Sequence, residues 1–137
     1  MTDEELRSTF ESCTLPFAFW NHRAHVRMAF LYASQYAFDA ALDRMRLSIK
    51  AYNASQQVPE SLDRGYHETI TVAFMRLVRN ELMRKGPYAD SEAFCDCHPD
   101  LLDKSLLLRF YSKQRLMTAE AKRGFVEPDL AELPLEA

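Results

Sequence analysis

The sequence predicts an all-α protein: a single-domain helical bundle over residues 1–137, with four main helices, short C-terminal helices and an extended tail. Three observations predict it. Long stretches carry apolar residues at helical rather than alternating spacing. The chain has only three glycines, too few for the tight turns of a β-rich fold. Helix start and stop signals recur at the ends of the periodic stretches. A chain of 137 residues fits one domain, and a domain of that size buries about 68% of the surface its unfolded chain exposes, enough for a core without staples.

Thr2-Asp-Glu-Glu5 reads as a capping box, which starts a first helix over about Asp3 to Ser12. Pro16 biases its predecessor away from helix and closes that segment. Phe17 to Trp20 is a short aromatic loop, and Asn21 is a good N-cap for a second helix from about His22 to Tyr36. Its inward stripe is His22, His25, Val26, Ala29, Tyr32, Ala33 and Tyr36, with Arg23 and Arg27 on the solvent side. A third helix spans about Phe38 to Asn53, with Phe38, Ala41, Leu42, Met45, Ile49 and Tyr52 on one face. The short break between the second and third helices makes them antiparallel neighbours. Asn53 to Gly65 is the longest loop. The fourth helix runs from about Tyr66 to Arg84 and ends at Gly86-Pro87.

The last third is less regular. Asp90 or Ser91 caps a short helix to about Cys97, Asp100 opens another, and Ser112 to Met117 reads as a turn before a helix over Thr118 to Phe125. Leu130, Leu133 and Leu135 give an extended tail apolar anchors for packing back on the bundle.

Composition narrows the function. The net charge is −3 with neutral histidines and the pI about 5.8. Without a basic block, the chain lacks the cationic stripe of a nucleic-acid binder. Arg44, Arg46, Arg76, Arg79, Arg84 and Lys85 read as solvated helix faces paired with nearby acids. The acidic start Met1-Thr-Asp-Glu-Glu has no signal-peptide character, and no apolar run approaches the ~18 residues of a membrane span. Cys13, Cys95 and Cys97 are odd in number and fit reduced thiols in a cytoplasmic protein. An apolar stripe left exposed on the third helix would make a homodimer.

The chemistry concentrates in Phe17-Ala-Phe-Trp-Asn-His-Arg-Ala-His25 and Tyr66-His-Glu-Thr69, which hold three of the four histidines. His22 and His25 are three apart and share a helix face. If the second and fourth helices lie side by side, His22, His25, His67 and Glu68 converge at one end of the bundle. Neutral imidazole suits Zn, Fe, Ni or Cu. The expectation is a mononuclear transition-metal site with His22, His25 and His67 as ligands and Glu68 as fourth ligand or general base on a bound water. Tyr32, Tyr36 and Tyr66 would line the pocket for a small-molecule ligand or substrate, and Trp20 and Phe17 could wall it. Helix N-termini disfavour cations, so the metal would need an anion beside it.

The alternatives are a metal-free ligand-binding or protein-interaction module, and a metal-free acid/base enzyme with a His-Glu pair. Thr69 and Thr71 flank the same region, where a helical threonine usually bonds back to its own preceding turn. Cys95-Asp-Cys97-His98 is a poorer metal candidate, since zinc sites use wider Cys spacing and a second pair. Cys13 reads as a small buried hydrophobe.

Phe19-Trp-Asn-His-Arg-Ala-His25, Tyr66-His-Glu-Thr-Ile-Thr71, Tyr111-Ser-Lys with Leu116, and Ala121-Lys-Arg-Gly-Phe-Val-Glu-Pro-Asp-Leu130 together resemble a family of small all-helical bacterial proteins. The resemblance spans nearly the whole chain. It implies that the histidine segments and the tail belong to one design, and it carries no activity, substrate or catalytic residue with it.

Overall fold

A computed structural model describes residues 1–134, so Leu135 of the expected tail lies outside the described residues. The fold is all-α, as the periodicity requires. Helix α1 spans Asp3–Glu11, and its capping box is present: Thr2 Oγ1 accepts from the Glu5 amide, and the Glu5 carboxylate accepts from the Thr2 amide. Cys13, at φ 61°, turns the chain left-handed after α1. It is half-buried rather than enclosed.

Helix α2 (His22–Gln35) is the central element and packs against α1, α3 (Phe38–Ser55), α4 (Glu68–Lys85) and α5 (Ser91–Cys97). The Asn21 side chain caps it at the Ala24 amide. Only Tyr36 and Ala37 separate α2 from α3, and side-chain pairs fix the return path. Trp20 meets Tyr52, Tyr32 meets Ser48, and Arg44 lies over Tyr36, so α3 runs antiparallel to α2. Helix α4 runs the other way: His22 meets Phe74, and Arg79 donates to the carbonyls of Ala33 and Tyr36 at the far end of α2. The first turns of α2 and α4 therefore lie at the same end of the molecule.

The expected faces hold best on α3, where Phe38, Ala41, Met45, Ile49 and Tyr52 are buried. Helix α4 is buried on more than one side. Thr69, Val72 and Ala73 are buried as well as Leu77 and Val78, because the C-terminal segments cover its second side. Thr69 Oγ1 donates to Gly124 O and accepts from the Val126 amide, tying α4 to the end of α7 (Ala119–Arg123).

Three polar expectations are overturned. Arg27 is not on a solvent face; it is buried and bonded to Asp3, Ser91, Glu92 and the Met1 carbonyl. Arg79 is half-buried and caps the end of α2 instead of pairing with an acid, and Arg76 lies 4.7 Å over the Phe125 ring. Arg27 is fully paired, whereas Arg76 Nε and Arg79 Nε are buried without a hydrogen-bond partner among the described residues.

The last third is helical in short pieces. Asp90 caps α5 at the Ala93 amide, two 3₁₀ segments follow at Pro99–Leu102 and Lys104–Arg109, and the expected turn after Ser112 contains a four-residue helix, α6 (Lys113–Leu116). In the tail Val126 and Leu133 are buried and Leu130 is exposed.

Candidate functional site

The first turn of α2 projects His22 and His25 toward α3 and α4, and their ring centroids are 6.5 Å apart. His22 Nε2–H donates to the Leu101 carbonyl at 2.9 Å, which fixes the tautomer and leaves Nδ1 as the free lone pair. Its pKa is lowered, chiefly by burial, with the Lys104 ammonium adding to the effect. His25 stacks on Trp20 at a centroid distance of 3.9 Å. Among the described residues it has no hydrogen-bond partner on either ring nitrogen. Burial pushes its pKa down to about 3, helped by His22 and Lys104, so the ring is neutral at ordinary pH.

His67 ends the polar loop and performs a different task. It is the N-cap of α4: Nδ1 accepts from the Ile70 amide at 3.1 Å, and Nε2–H donates to the Leu116 carbonyl at 2.9 Å. Histidine is an unusual cap, yet it meets the need for an acceptor facing the first free amides. Both ring nitrogens are thereby engaged, and metal ligation by His67 would break one of these bonds. Glu68 turns away from the rings. Arg46 donates to both its oxygens at 2.9 and 2.6 Å, and the Tyr66 hydroxyl donates at 2.6 Å. The hydrogen bonds from Arg46 hold its carboxyl below the usual carboxylate range, which suits an ion pair and makes a poor base. It lines an open cleft with Lys50, Lys122 and Arg123.

The three imidazoles thus share a region, but as two overlapping pairs. His22 and His25 line a small cavity of about 70 Å³, closed by Val26, Ala29, Met45, Ile49, Ile70, Thr71, Phe74, Met75 and Val78. His25 and His67 line a wider one of about 310 Å³, walled by Phe17, Trp20, Asn53, Val58, Tyr66 and others. His25, Ile49, Ile70 and Thr71 belong to both, so they form the partition between an inner and an outer chamber. The accessible part of His25 opens into these chambers.

Of the expected pocket tyrosines only Tyr66 is present here. Tyr32 bonds Glu11 and Ser48, and Tyr36 accepts from Arg7, both outside either chamber. Trp20 and Phe17 do wall the outer chamber, with Phe17 exposed at its rim. Thr71 bonds back to the His67 carbonyl as expected. Met45 and Ile49, read from the sequence as the apolar face of the third helix, also wall the inner chamber, as do Phe74 and Met75 of α4. Cys95 is buried, with its thiol pushed up to about 11 by burial, while Cys97 is exposed and His98 binds the Tyr88 hydroxyl.

Among the described residues no group of three or more His, Cys, Asp and Glu is arranged to hold a metal ion, and no helix is long and apolar enough to cross a membrane. No family model, curated protein or solved structure matches the chain.

Proposed function

We propose that this protein is a metal-free binding module for a small, largely apolar molecule, held in the two chambers at the shared end of α2, α3 and α4. The observation that carries the reading is His25: a partly exposed, neutral imidazole with no protein partner, shared by the linings of both chambers. A ligand able to bond the ring would use its free donor and acceptor, while the apolar walls supply affinity. An apolar cavity with few convergent polar groups is the usual form of a small-molecule site.

The test is a fragment screen followed by protein NMR. Fragments that bind should shift the resonances of His25, Ile70 and Thr71, and Ala29→Leu, which fills the inner chamber, should weaken them. Shifts centred instead on Arg46, Lys50 and Arg123, or no fragment that perturbs His25, would remove the reading.

A transition metal (Zn, Fe, Ni or Cu) on His22 and His25 ranks second. One observation favours it: a ligating histidine usually donates its other N–H to a carbonyl, as His22 does to Leu101. It calls for a rearranged His67 or a further ligand. Metal analysis of the purified protein, and of a His22→Ala, His25→Ala variant, decides it.

A further inference from the structure

Away from the chambers, α3, the loop before α4, and α7 enclose an open cleft of about 750 Å³. Its floor is Tyr66, which is buried and held at three points. The Tyr66 hydroxyl donates to Glu68 at 2.6 Å, its amide donates to Glu60 at 3.3 Å, and its carbonyl accepts from Lys122 Nζ at 2.6 Å. The lining residues come from three separate parts of the chain, so the cleft exists only in the folded protein.

Four cations line it, and they divide into two kinds. Arg46 is saturated, with Glu68 on two of its nitrogens and Asp43 on the third. Lys122 pairs with Glu60 at 2.8 Å and bonds the Tyr66 carbonyl, which leaves one of its three N–H groups over. Both acids of the cleft, Glu60 and Glu68, are thereby committed. Lys50 and Arg123 have no acid and no hydrogen bond among the described residues. Lys50 Nζ instead stands 5.0 Å from the centre of the Tyr66 ring, which orients it over the floor. A solvated lysine or arginine on a surface needs no partner. Here two of them line one space whose floor is fixed and whose other charges are cancelled, in a chain of net charge −3.

Two uncommitted cations and a spare ammonium N–H match a ligand with two negative charges and several acceptor oxygens. A phosphate monoester is such a group: near neutral pH it carries close to two negative charges on three acceptor oxygens, and Arg and Lys are its usual partners. A carboxylate brings one charge and leaves one of the two cations as it was. The wall at Gly124 adds room, because a Cβ placed there would meet nothing within 4 Å.

We propose that this cleft is a second site, for a small molecule bearing a phosphate monoester whose oxygens accept from Lys50, Arg123 and the remaining Lys122 N–H. It shares only Tyr66 with the lining of the outer chamber and does not rest on the binding reading above.

Methyl phosphate and methyl sulfate distinguish such a site from a general attraction for anions, because they match in shape and differ by about one charge at about pH 7.5. Each is titrated into the full chain at constant, low ionic strength, with backbone amide shifts as readout. Methyl phosphate should give saturable shifts at Lys50, Tyr66, Lys122, Arg123 and Gly124, and bind roughly tenfold tighter than methyl sulfate. Lys50→Gln and Arg123→Gln, at exposed and unbonded positions, should each weaken it several-fold and together remove most of the difference between the two probes. Gly124→Asp, which has open space for its Cβ and adds a carboxylate to the wall, should abolish binding. Lys113→Gln makes the same change in net charge at an exposed residue outside the cleft, and should leave the affinity within about twofold. Equal affinity for the two probes, shifts that never saturate, or a Lys50→Gln, Arg123→Gln double variant that loses no more than Lys113→Gln overturns the site. None of these outcomes touches the chambers, whose test is read at His25.

Discussion

Two polar positions on α2, two residues apart, are treated in opposite ways. Arg27 is surrounded: its guanidinium donates to Ser91 Oγ at 2.7 Å and to the Met1 carbonyl at 2.8 Å, and pairs with Asp3 and Glu92 at 3.2 Å each. His25 is only partly enclosed and bonds to nothing among the described residues, with an aromatic face on one side and chambers on the other. The first arrangement joins α1, α2 and α5 and has no vacancy for anything else. The second joins no elements and leaves a donor and an acceptor unused. A polar side chain that is saturated is structural; one left open next to a cavity is available for a ligand.

The contrast predicts opposite mutational outcomes. Arg27→Met should be the most damaging change, because it leaves the buried Ser91 and the half-buried Asp3 without their partner; about 3 kcal/mol is expected from the lost charge-assisted hydrogen bonds. Denaturant unfolding measures it, and a loss under about 1 kcal/mol would erase the difference between the two positions. Thr69→Val keeps the shape but leaves Gly124 O and the Val126 amide unbonded, so about 2 kcal/mol should go. His67→Ala removes an N-cap and a bond to Leu116, with about 1–2 kcal/mol expected. His25→Phe should lie within about 1 kcal/mol of the wild type, since no bond is broken and the ring still stacks on Trp20.

Acid sharpens the same comparison. His25 stays neutral in the folded protein down to about pH 3, whereas its ordinary pKa is 6.5. Between those values the unfolded chain binds more protons than the folded one. The contribution is therefore complete above about pH 6.5 and is lost as pH falls toward 3. His22 and His67, whose pKa values are also lowered, act in the same direction. Melting temperatures across that range should fall less steeply for His25→Phe than for the wild type.

Much of the architecture was legible because it is local. The Thr2 capping box, the Asn21 and Asp90 caps and the α3 stripe each depend on residues within one or two turns. What the sequence withheld is long-range. Arg27 reads as a surface residue until Asp3 and Ser91, contributed by other helices, are brought to it. Glu68 reads as a neighbour of His67 in a shared site, yet Arg46 from α3 draws it to the opposite side. For the site itself, the helical spacing of His22 and His25 and the closeness of α2 and α4 could be anticipated. The vacancy at His25 could not, because an absent partner leaves no trace in composition or spacing.

The double engagement of His67 reaches beyond its own helix. One imidazole serves as the pin of a joint: one nitrogen finishes α4, while the other grips the end of α6, 49 residues further along the chain. A protonated ring has no lone pair for the Ile70 amide, so acid withdraws the pin from one side of that joint. Amide exchange at Ile70 should then quicken at lower pH than the exchange of unfolded peptides explains, while the α2–α3 hairpin stays closed.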